Sequence, residues 1–243
     1  MKKIICLLTT VLFFAIYFPV NARELSVITP AVEFTEEDLR IMELHNIKAN
    51  EYVQKKNSMM RGGAQGYIPV ELVIQDFKNY CGPASTQMVL NYKNVFAETQ
   101  LTLGKSWKIE NTNLGVAGSK IVQVLNKYLG EKKYSINDSK PLFYNSIMYS
   151  IDNNYPVIYS TNIQDLFFNE QYPTPSGHYI VGNGYYQYST GGTGYDYLTY
   201  IEPFDLWNYI DYGAGEYTVP SHKIFTAIEN NPNGASYIIR YGN

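Results

Sequence analysis

Cys81 carries the most reactive side chain in the body of this sequence. The chain of 243 residues has one other cysteine, Cys6, which lies in an apolar N-terminal segment. The triplet Gly82-Pro83-Ala84 is typical of a helix start, and apolar residues follow it at helical spacing. A helix N-terminus and a protonated imidazole both stabilise a thiolate, the form of cysteine that attacks carbonyl carbon. Cys81 is therefore a candidate nucleophile, although an intermolecular link or a buried apolar role would also fit a lone thiol.

The base that would activate this thiol must be one of three histidines, His45, His178 and His222. His178 begins a predicted strand directly after a Thr-Pro-Ser-Gly turn, so its ring can project from a rigid edge. His222 follows Pro-Ser at a predicted helix start, where a surface or capping role fits better, and His45 lies in an N-terminal extension. We therefore expect His178 to act as the general base.

Two segments resemble a known family. Residues 75–90, QDFKNYCGPASTQMVL, are similar to the active-site segment of papain-like cysteine peptidases, specifically the bacterial group related to double-glycine, bacteriocin-processing peptidases. Residues 178–184, HYIVGNG, are similar to the family's histidine followed by a hydrophobic strand and glycine. The resemblance extends over roughly residues 67–205.

The resemblance implies a papain-like α+β fold and a cysteine peptidase that hydrolyses peptide or protein substrates without a cofactor. It also implies that the Gln75 side-chain amide joins a backbone N–H group to form an oxyanion hole. The family usually completes a triad with an Asp-Pro pair after the next strand, where this chain has Glu202-Pro203. Both Glu202 and Asp205 are therefore candidates for the third member.

Strand geometry favours Glu202 over Asp205. A hairpin loop at residues 189–194 should fold the next strand back so that its end lies beside His178. Glu202 arrives there in register, whereas Asp205 follows Pro203, which redirects the chain. We expect the Glu202 carboxylate to reach Nδ1 of His178.

Other chemistries have weaker support in the sequence. It contains no His-Glu-x-x-His, Cys-x-x-Cys or Gly-x-Ser-x-Gly motif, so we expect no metal site and no serine hydrolase. Residues 115–120 only loosely resemble a phosphate loop, and Ser119 is better explained as a helix cap. Two alternatives stay open. One is a catalytically inactive, secreted relative whose tyrosine-rich sheet binds peptide or cell-wall glycan, and the other is a cysteine amidase or acyltransferase.

The predicted elements place helices before strands. Residues 34–60 read as a charged helix capped by Thr35, and three glycines at residues 61–66 indicate a linker. The main domain, residues 67–243, should contain three helices in its first half, then an antiparallel sheet and a late helix, which is an α+β class. The predicted helices of this domain start near residue 82 and span 119–130, 141–153 and 221–229; the strands span 156–161, 178–188, 195–201 and 235–241.

The first residues predict secretion. Residues 1–22 combine Lys2 and Lys3 with an apolar run and a small-residue end at Ala22, which is typical of a cleaved signal peptide. The apolar run is shorter than a spanning helix needs, so we expect no stable membrane anchor after cleavage. Removing the two lysines from 19 basic residues leaves 17 against 22 acidic ones, a net charge of −5 that disfavours a nucleic-acid partner. Residues 23–66 would then be an N-terminal extension or a pro-segment, and the oligomeric state is left open.

Overall fold

The structure is a computed structural model, and it describes most of the chain after the N-terminal region. The described ranges are 36–59, 63–95, 98–112, 114–130, 134–138, 143–166, 176–187, 196–205, 213–234 and 236–240. The predicted signal segment, the Thr35 cap and the hairpin loop at residues 189–194 lie outside these ranges. No helix within them is both long and apolar enough to cross a bilayer.

Helices and strands occur in the predicted order. The helices are α1 (Glu36–Met59), α2 (Cys81–Tyr92), α3 (Gln100–Ser106), α4 (Gly118–Leu129), α5 (Phe143–Asp152), α6 (Ile163–Leu166) and α7 (Ser221–Glu229). The strands are β1 (Ala64–Tyr67), β2 (Tyr134–Asn137), β3 (Val157–Asn162), β4 (Gly177–Gln187), β5 (Tyr197–Glu202), β6 (Gly215–Pro220) and β7 (Ser236–Arg240).

Within the described residues, the strands form one antiparallel sheet in the order β2-β7-β3-β4-β5-β6. Strand β4 is the longest and lies at the centre. Its first half pairs with β3 and its last four residues pair with β1, while β5 pairs along the other edge. A bulge between Gly182 and Gly184 shifts the β4–β5 register by one residue. From Val181 onward β4 is therefore held from two sides, whereas its first residues pair with β3.

Helices cover the sheet, and their contacts bring the start of α2 to β4. Helix α2 packs on β4 and α4, α7 packs on β3, and α1 packs on α5 and β2. The apolar side chains of these elements form a continuous buried core that includes Met88, Val89, Ile121 and Val181. The predicted α+β class with an antiparallel sheet is confirmed, and α2, which begins at Cys81, packs on that sheet.

Some sequence predictions of local structure need correction. Helix α4 begins one residue earlier than predicted, with Ala117 as its N-cap and no side-chain capping bond, so Ser119 lies within the first turn and is not the cap. Residues 64–66, predicted as linker, belong to β1 and pair with residues 185–187 of β4. Helices α3 and α6 and the strands β1, β2 and β6 were not predicted from the sequence. Because β1 precedes α2 and β2 precedes α5, the helices and strands are also less separated along the chain than predicted.

Candidate active site

Cys81 is the first residue of α2. The residue before it, Tyr80, accepts the first helical hydrogen bond, from the Ala84 N–H, at 2.9 Å, and no side chain caps the helix. The N–H groups of the first turn therefore point past the thiol without a side-chain partner. The next residue must be small, because a Cβ at Gly82 would lie 2.2 Å from the Val116 side chain. The start of α2 thus packs closely at Gly82 against the segment that leads into α4, and Cys81 is buried.

His178 is the second residue of β4 and lies opposite Thr161 on β3. The Thr161 hydroxyl donates a hydrogen bond of 3.0 Å to the His178 carbonyl oxygen, which fixes the start of the strand. The imidazole is 4% exposed and is hydrogen-bonded to the Cys81 side chain. The structure therefore brings together the thiol and the histidine that the sequence singled out.

Glu202, the last residue of β5, lies on the other side of the imidazole. Its Oε1 is 2.7 Å from His178 Nε2, and the same oxygen accepts a 2.8 Å hydrogen bond from the Phe204 N–H. Continuing the β4–β5 register beyond its last pairs places His178 opposite Phe204, so Glu202 is a diagonal neighbour of His178 on the same face. The expected atom was wrong: the carboxylate reaches Nε2, which leaves Nδ1 for the thiol.

The charges of this cluster stabilise a protonated imidazole. Burial by itself lowers the pKa of His178, but the Glu202 carboxylate opposes burial most strongly, and hydrogen bonds with Cys81 and Glu202 add to its effect. Together these partners raise the pKa of His178 to about 10. An imidazolium held between a carboxylate and a sulfur atom is the arrangement that stabilises a thiolate.

Two aromatic residues that the sequence did not single out also contact this cluster. The Phe204 ring centroid lies 6.3 Å from that of His178, beside the bond between Glu202 and the imidazole. Tyr179 donates a 3.1 Å hydrogen bond to the Val116 carbonyl oxygen. Burial, and then the negative charge at Cys81, raises the pKa of Tyr179, so its hydroxyl stays protonated as a donor. No sequence signal marks either residue, because their contacts with His178 and Val116 arise only when the fold brings separate segments together.

Gln75 lies in the segment that leads to Cys81, and its side chain is buried. Its Nε2 donates to the carbonyl oxygens of Phe77 at 2.8 Å and Lys78 at 2.9 Å. These two acceptors identify the amide nitrogen and hold it against the loop before Cys81. The Oε1 atom accepts no hydrogen bond from the described part of the chain. The amide is thus ordered next to the nucleophile's loop, and its predicted oxyanion role stays a prediction.

The remaining candidates lie apart from the cluster. Asp205 is exposed, and the hydrogen bond to the imidazole is made by Glu202. His222 is exposed on the first turn of α7. Among the described residues, no three His, Cys, Asp or Glu side chains are grouped as a metal site requires.

The geometry suits acyl transfer. A sulfur nucleophile, a histidine that can give and take a proton, and a carboxylate that fixes the histidine are joined in that order by hydrogen bonds. The orienting carboxylate keeps Nε2 protonated, so Nδ1 is the nitrogen that exchanges a proton with sulfur or with a leaving group.

The chain is similar to a known protein family and to solved structures. The model of the Peptidase C39-like family matches residues 64–217. One solved structure is of a double-glycine motif protease from an AMS/PCAT transporter in complex with the leader peptide. It is 13% identical, with a TM-score of 0.43, over 76% of this chain and 99% of that chain. No curated protein sequence matches the chain.

Proposed function

Because the chain belongs to the Peptidase C39-like family and is a cysteine peptidase, we propose that it cleaves peptide bonds through Cys81, with His178 as its acid and base. The observation that carries this proposal is the His178 imidazole, which is hydrogen-bonded to the Cys81 thiol and lies 2.7 Å from Glu202. A structural cysteine would need neither a buried imidazolium nor a carboxylate behind it.

The reaction follows from the order of these groups. The Cys81 thiolate attacks the carbonyl carbon, and the carbonyl π electrons move to oxygen. Collapse of this intermediate breaks the C–N bond while His178 gives its Nδ1 proton to the departing amine, which leaves a thioester on sulfur. Neutral His178 then takes a proton from water as the water oxygen attacks the thioester. Breakage of the C–S bond expels the Cys81 thiolate, releases the carboxylic acid product and so restores the pair of thiolate and imidazolium.

The oxyanion needs donors beside Cys81. We propose that the Cys81 backbone N–H and the Gln75 side-chain amide supply them, as the family resemblance implies. The Gln75 amide donates to Phe77 and Lys78 in the free enzyme. One of its N–H groups would therefore turn to the oxyanion as negative charge develops there.

Most of the surface that the binding-module alternative needs is missing, because several sheet tyrosines are buried. Among the described residues, the side chains of Tyr159, Tyr185, Tyr200 and Tyr237 are buried in the core of the domain. These four cannot supply a contact surface for glycan or peptide, whereas Tyr67 of β1 and Tyr186 of β4 are exposed, so thiol labelling together with product analysis must decide this alternative. The amidase and acyltransferase alternatives use the same residues, and product identity distinguishes them.

We also propose that the protein is secreted after cleavage following Ala22, on the strength of the charged, apolar and small-residue order of residues 1–22. Residues 23–66 would remain as an extension, or a pro-segment would be removed by cleavage after Gly63, because residues 64–66 belong to β1. Helix α1 packs on α5 and β2, which favours a docked extension. Mass spectrometry of the secreted wild type and Cys81→Ala tests self-processing, because identical uncleaved N-termini would exclude it.

The test of the main proposal joins labelling to catalysis. An electrophilic thiol probe at pH 7 should label wild-type protein at Cys81, while Cys81→Ala should not react. Incubation with a defined peptide mixture should then give new amino and carboxyl termini with wild type only. Labelling without any peptide, amide or acyl-transfer product, under conditions where the protein is folded, would reject catalysis and favour the inactive relative.

A further inference from the structure

The side chain of Gln100 is buried and is directed away from its own helix. Gln100 is the first residue of α3 and is 3% exposed. The N-cap of α3 is Thr99, whose hydroxyl accepts the hydrogen bond of the Thr102 N–H. The helix start is therefore capped without Gln100. A buried amide at this position needs partners elsewhere, because an unpaired polar group in the interior is costly.

Those partners are the backbone groups on either side of Gln75. Gln100 Nε2 donates to the Ile74 carbonyl oxygen at 2.8 Å, and Gln100 Oε1 accepts from the Asp76 N–H at 3.0 Å. One amide thus pairs with two peptide groups in the way that a neighbouring strand would. The residue between the two bonds is Gln75.

The other side of the same segment is also held. The Gln75 N–H donates to the Pro203 carbonyl oxygen at 2.9 Å. Along an extended backbone, the N–H of one residue points opposite to the carbonyl of the residue before it and the N–H of the residue after it. Gln75 is therefore held between Gln100 and Pro203, the residue after Glu202, and its backbone cannot shift without breaking bonds on one of these sides.

From this geometry we infer that Gln100 is a positioning residue that holds Gln75 at the distance its amide needs to meet the oxyanion. The inference rests on the proposed function, since it gives Gln100 a role only through Gln75. Gln100 does not touch the reacting atoms. Its loss would let the Gln75 segment move, and misplacement by about 1 Å is enough to lower a rate by up to about 10²-fold.

The experiment compares Gln100→Leu with Gln75→Ala in peptide hydrolysis and in alkylation by iodoacetamide. Alkylation needs a thiolate but no oxyanion hole, so it reports Cys81 and His178 alone. Gln75→Ala should lower kcat about 10²-fold or more. Gln100→Leu should lower kcat about 10- to 100-fold with little change in KM, and the alkylation rate should stay within about twofold of wild type. Thr99→Ala, which weakens the same helix start without touching Gln75, should keep the wild-type kcat.

The double variant Gln75→Ala/Gln100→Leu separates positioning from general structure. If Gln100 acts through Gln75, its substitution adds no further loss of kcat in the Gln75→Ala background. Equal losses in both backgrounds, or a loss of alkylation parallel to that of kcat, would overturn the inference while leaving the oxyanion role intact. Wild-type kcat in Gln100→Leu would overturn it equally. Wild-type kcat in Gln75→Ala would reject the oxyanion role itself, and the inference with it.

Discussion

Strand β4 contacts two clusters of charged and polar side chains, one near each end, and each cluster joins a helix to the sheet. At the start of β4, His178 lies between Cys81 of α2 and Glu202. Seven residues along, the Tyr185 hydroxyl contacts Asp152 of α5 at 2.8 Å and also contacts Lys56 of α1. Both clusters pair a carboxylate with a cation, yet we assign chemistry to only one of them.

The difference lies in how completely the carboxylates are satisfied. Asp152 accepts hydrogen bonds from Tyr52, Lys56 and Tyr185, and both of its oxygens are used. Glu202 uses Oε1 for two bonds, while Oε2 has no hydrogen-bond partner in the described part of the chain. The Lys56 cluster therefore reads as a closed connection that holds α1 on the domain. The Cys81 cluster also contains a thiol beside the imidazole, and a purely structural connection would not require that thiol.

The contrast between the two clusters depends above all on Cys81 being a reactive thiol. Cys81→Ser should lower kcat on the order of 10⁵-fold, because a serine hydroxyl is not ionised by the same partners. In His178→Ala, Cys81 should be alkylated slowly at any pH below about 8.5, as an ordinary cysteine is. Wild type should already be alkylated rapidly at pH 6 to 7. The measurement is the iodoacetamide rate against pH. Matching profiles in wild type and His178→Ala would show that the histidine does not activate the thiol.

Removing the carboxylate behind the histidine should cost less than removing the nucleophile. Glu202→Ala should lower kcat about 10²- to 10⁴-fold with a nearly unchanged KM, because the imidazole loses its orientation and its partner charge. Asp205→Asn is the matched control, since Asp205 is exposed two residues after the Pro203 position. Steady-state kinetics on one peptide substrate decides between them. A larger loss in Asp205→Asn than in Glu202→Ala would reassign the third member.

Substitution in the Lys56 cluster should lower the stability of the protein and leave its activity nearly unchanged. Lys56→Met leaves the Asp152 carboxylate without its cation, and we expect the free energy of unfolding to fall by about 2–4 kcal/mol. Peptidase activity should stay within about twofold, because Tyr185 lies roughly 20 Å along β4 from His178. Urea unfolding and kcat measured below the unfolding transition test both statements.

Arg40→Ala provides the control for that variant. Its exposed pair with Glu37 lies on the same helix, α1, and should contribute no more than about 0.5 kcal/mol. Loss of kcat in folded Lys56→Met would show that the two clusters are coupled and that α1 is part of the catalytic unit.

Local periodicity explains why the contact between His178 and Glu202 could be predicted from the sequence. A histidine at a strand start and a glutamate at the end of the next antiparallel strand must meet, and His178 and Glu202 do so. The nitrogen of the His178 ring that binds Glu202 could not be predicted, because the orientation of the imidazole depends on where α2 places Cys81. The chain therefore specifies which residues meet, and tertiary packing specifies which atoms do.

The elements that were missed depend on distant partners. Strand β1 has four residues, one of them glycine, and it pairs with β4 about 120 positions along the chain. No short-range pattern marks such a strand. Gln100 is similar, since its role comes from two peptide groups that precede it by some 25 residues. At Ser119 the local sequence pattern was misleading instead. Serine is a good capping residue, but α4 begins one residue before it, at Gly118, so Ser119 cannot be the cap.

The smallest expected effect concerns pH, and it isolates the charge of Glu202 from its shape. Glu202→Gln keeps the side-chain length and removes the negative charge that raises the pKa of His178 to about 10. Because the folded value lies above about 6.5, the value in an unfolded chain, the imidazolium contributes stability that is complete below pH 6.5 and is lost as pH rises through about 10. The difference in unfolding free energy between wild type and Glu202→Gln should therefore shrink from pH 7 to pH 10.5.

The raised pKa of His178 should also determine how activity depends on pH. The wild-type kcat/KM should fall on its basic side only near pH 10, where the imidazolium loses its proton, and Glu202→Gln should move that fall to lower pH by about one unit or more. His222→Ala, at an exposed histidine, should leave the profile unchanged. Basic limbs that coincide in wild type and Glu202→Gln would mean that the carboxylate acts only by holding the ring in place. The two clusters on β4 would then differ only because one of them contains a thiol. The buried charge of Glu202 would not be needed to keep a proton on His178.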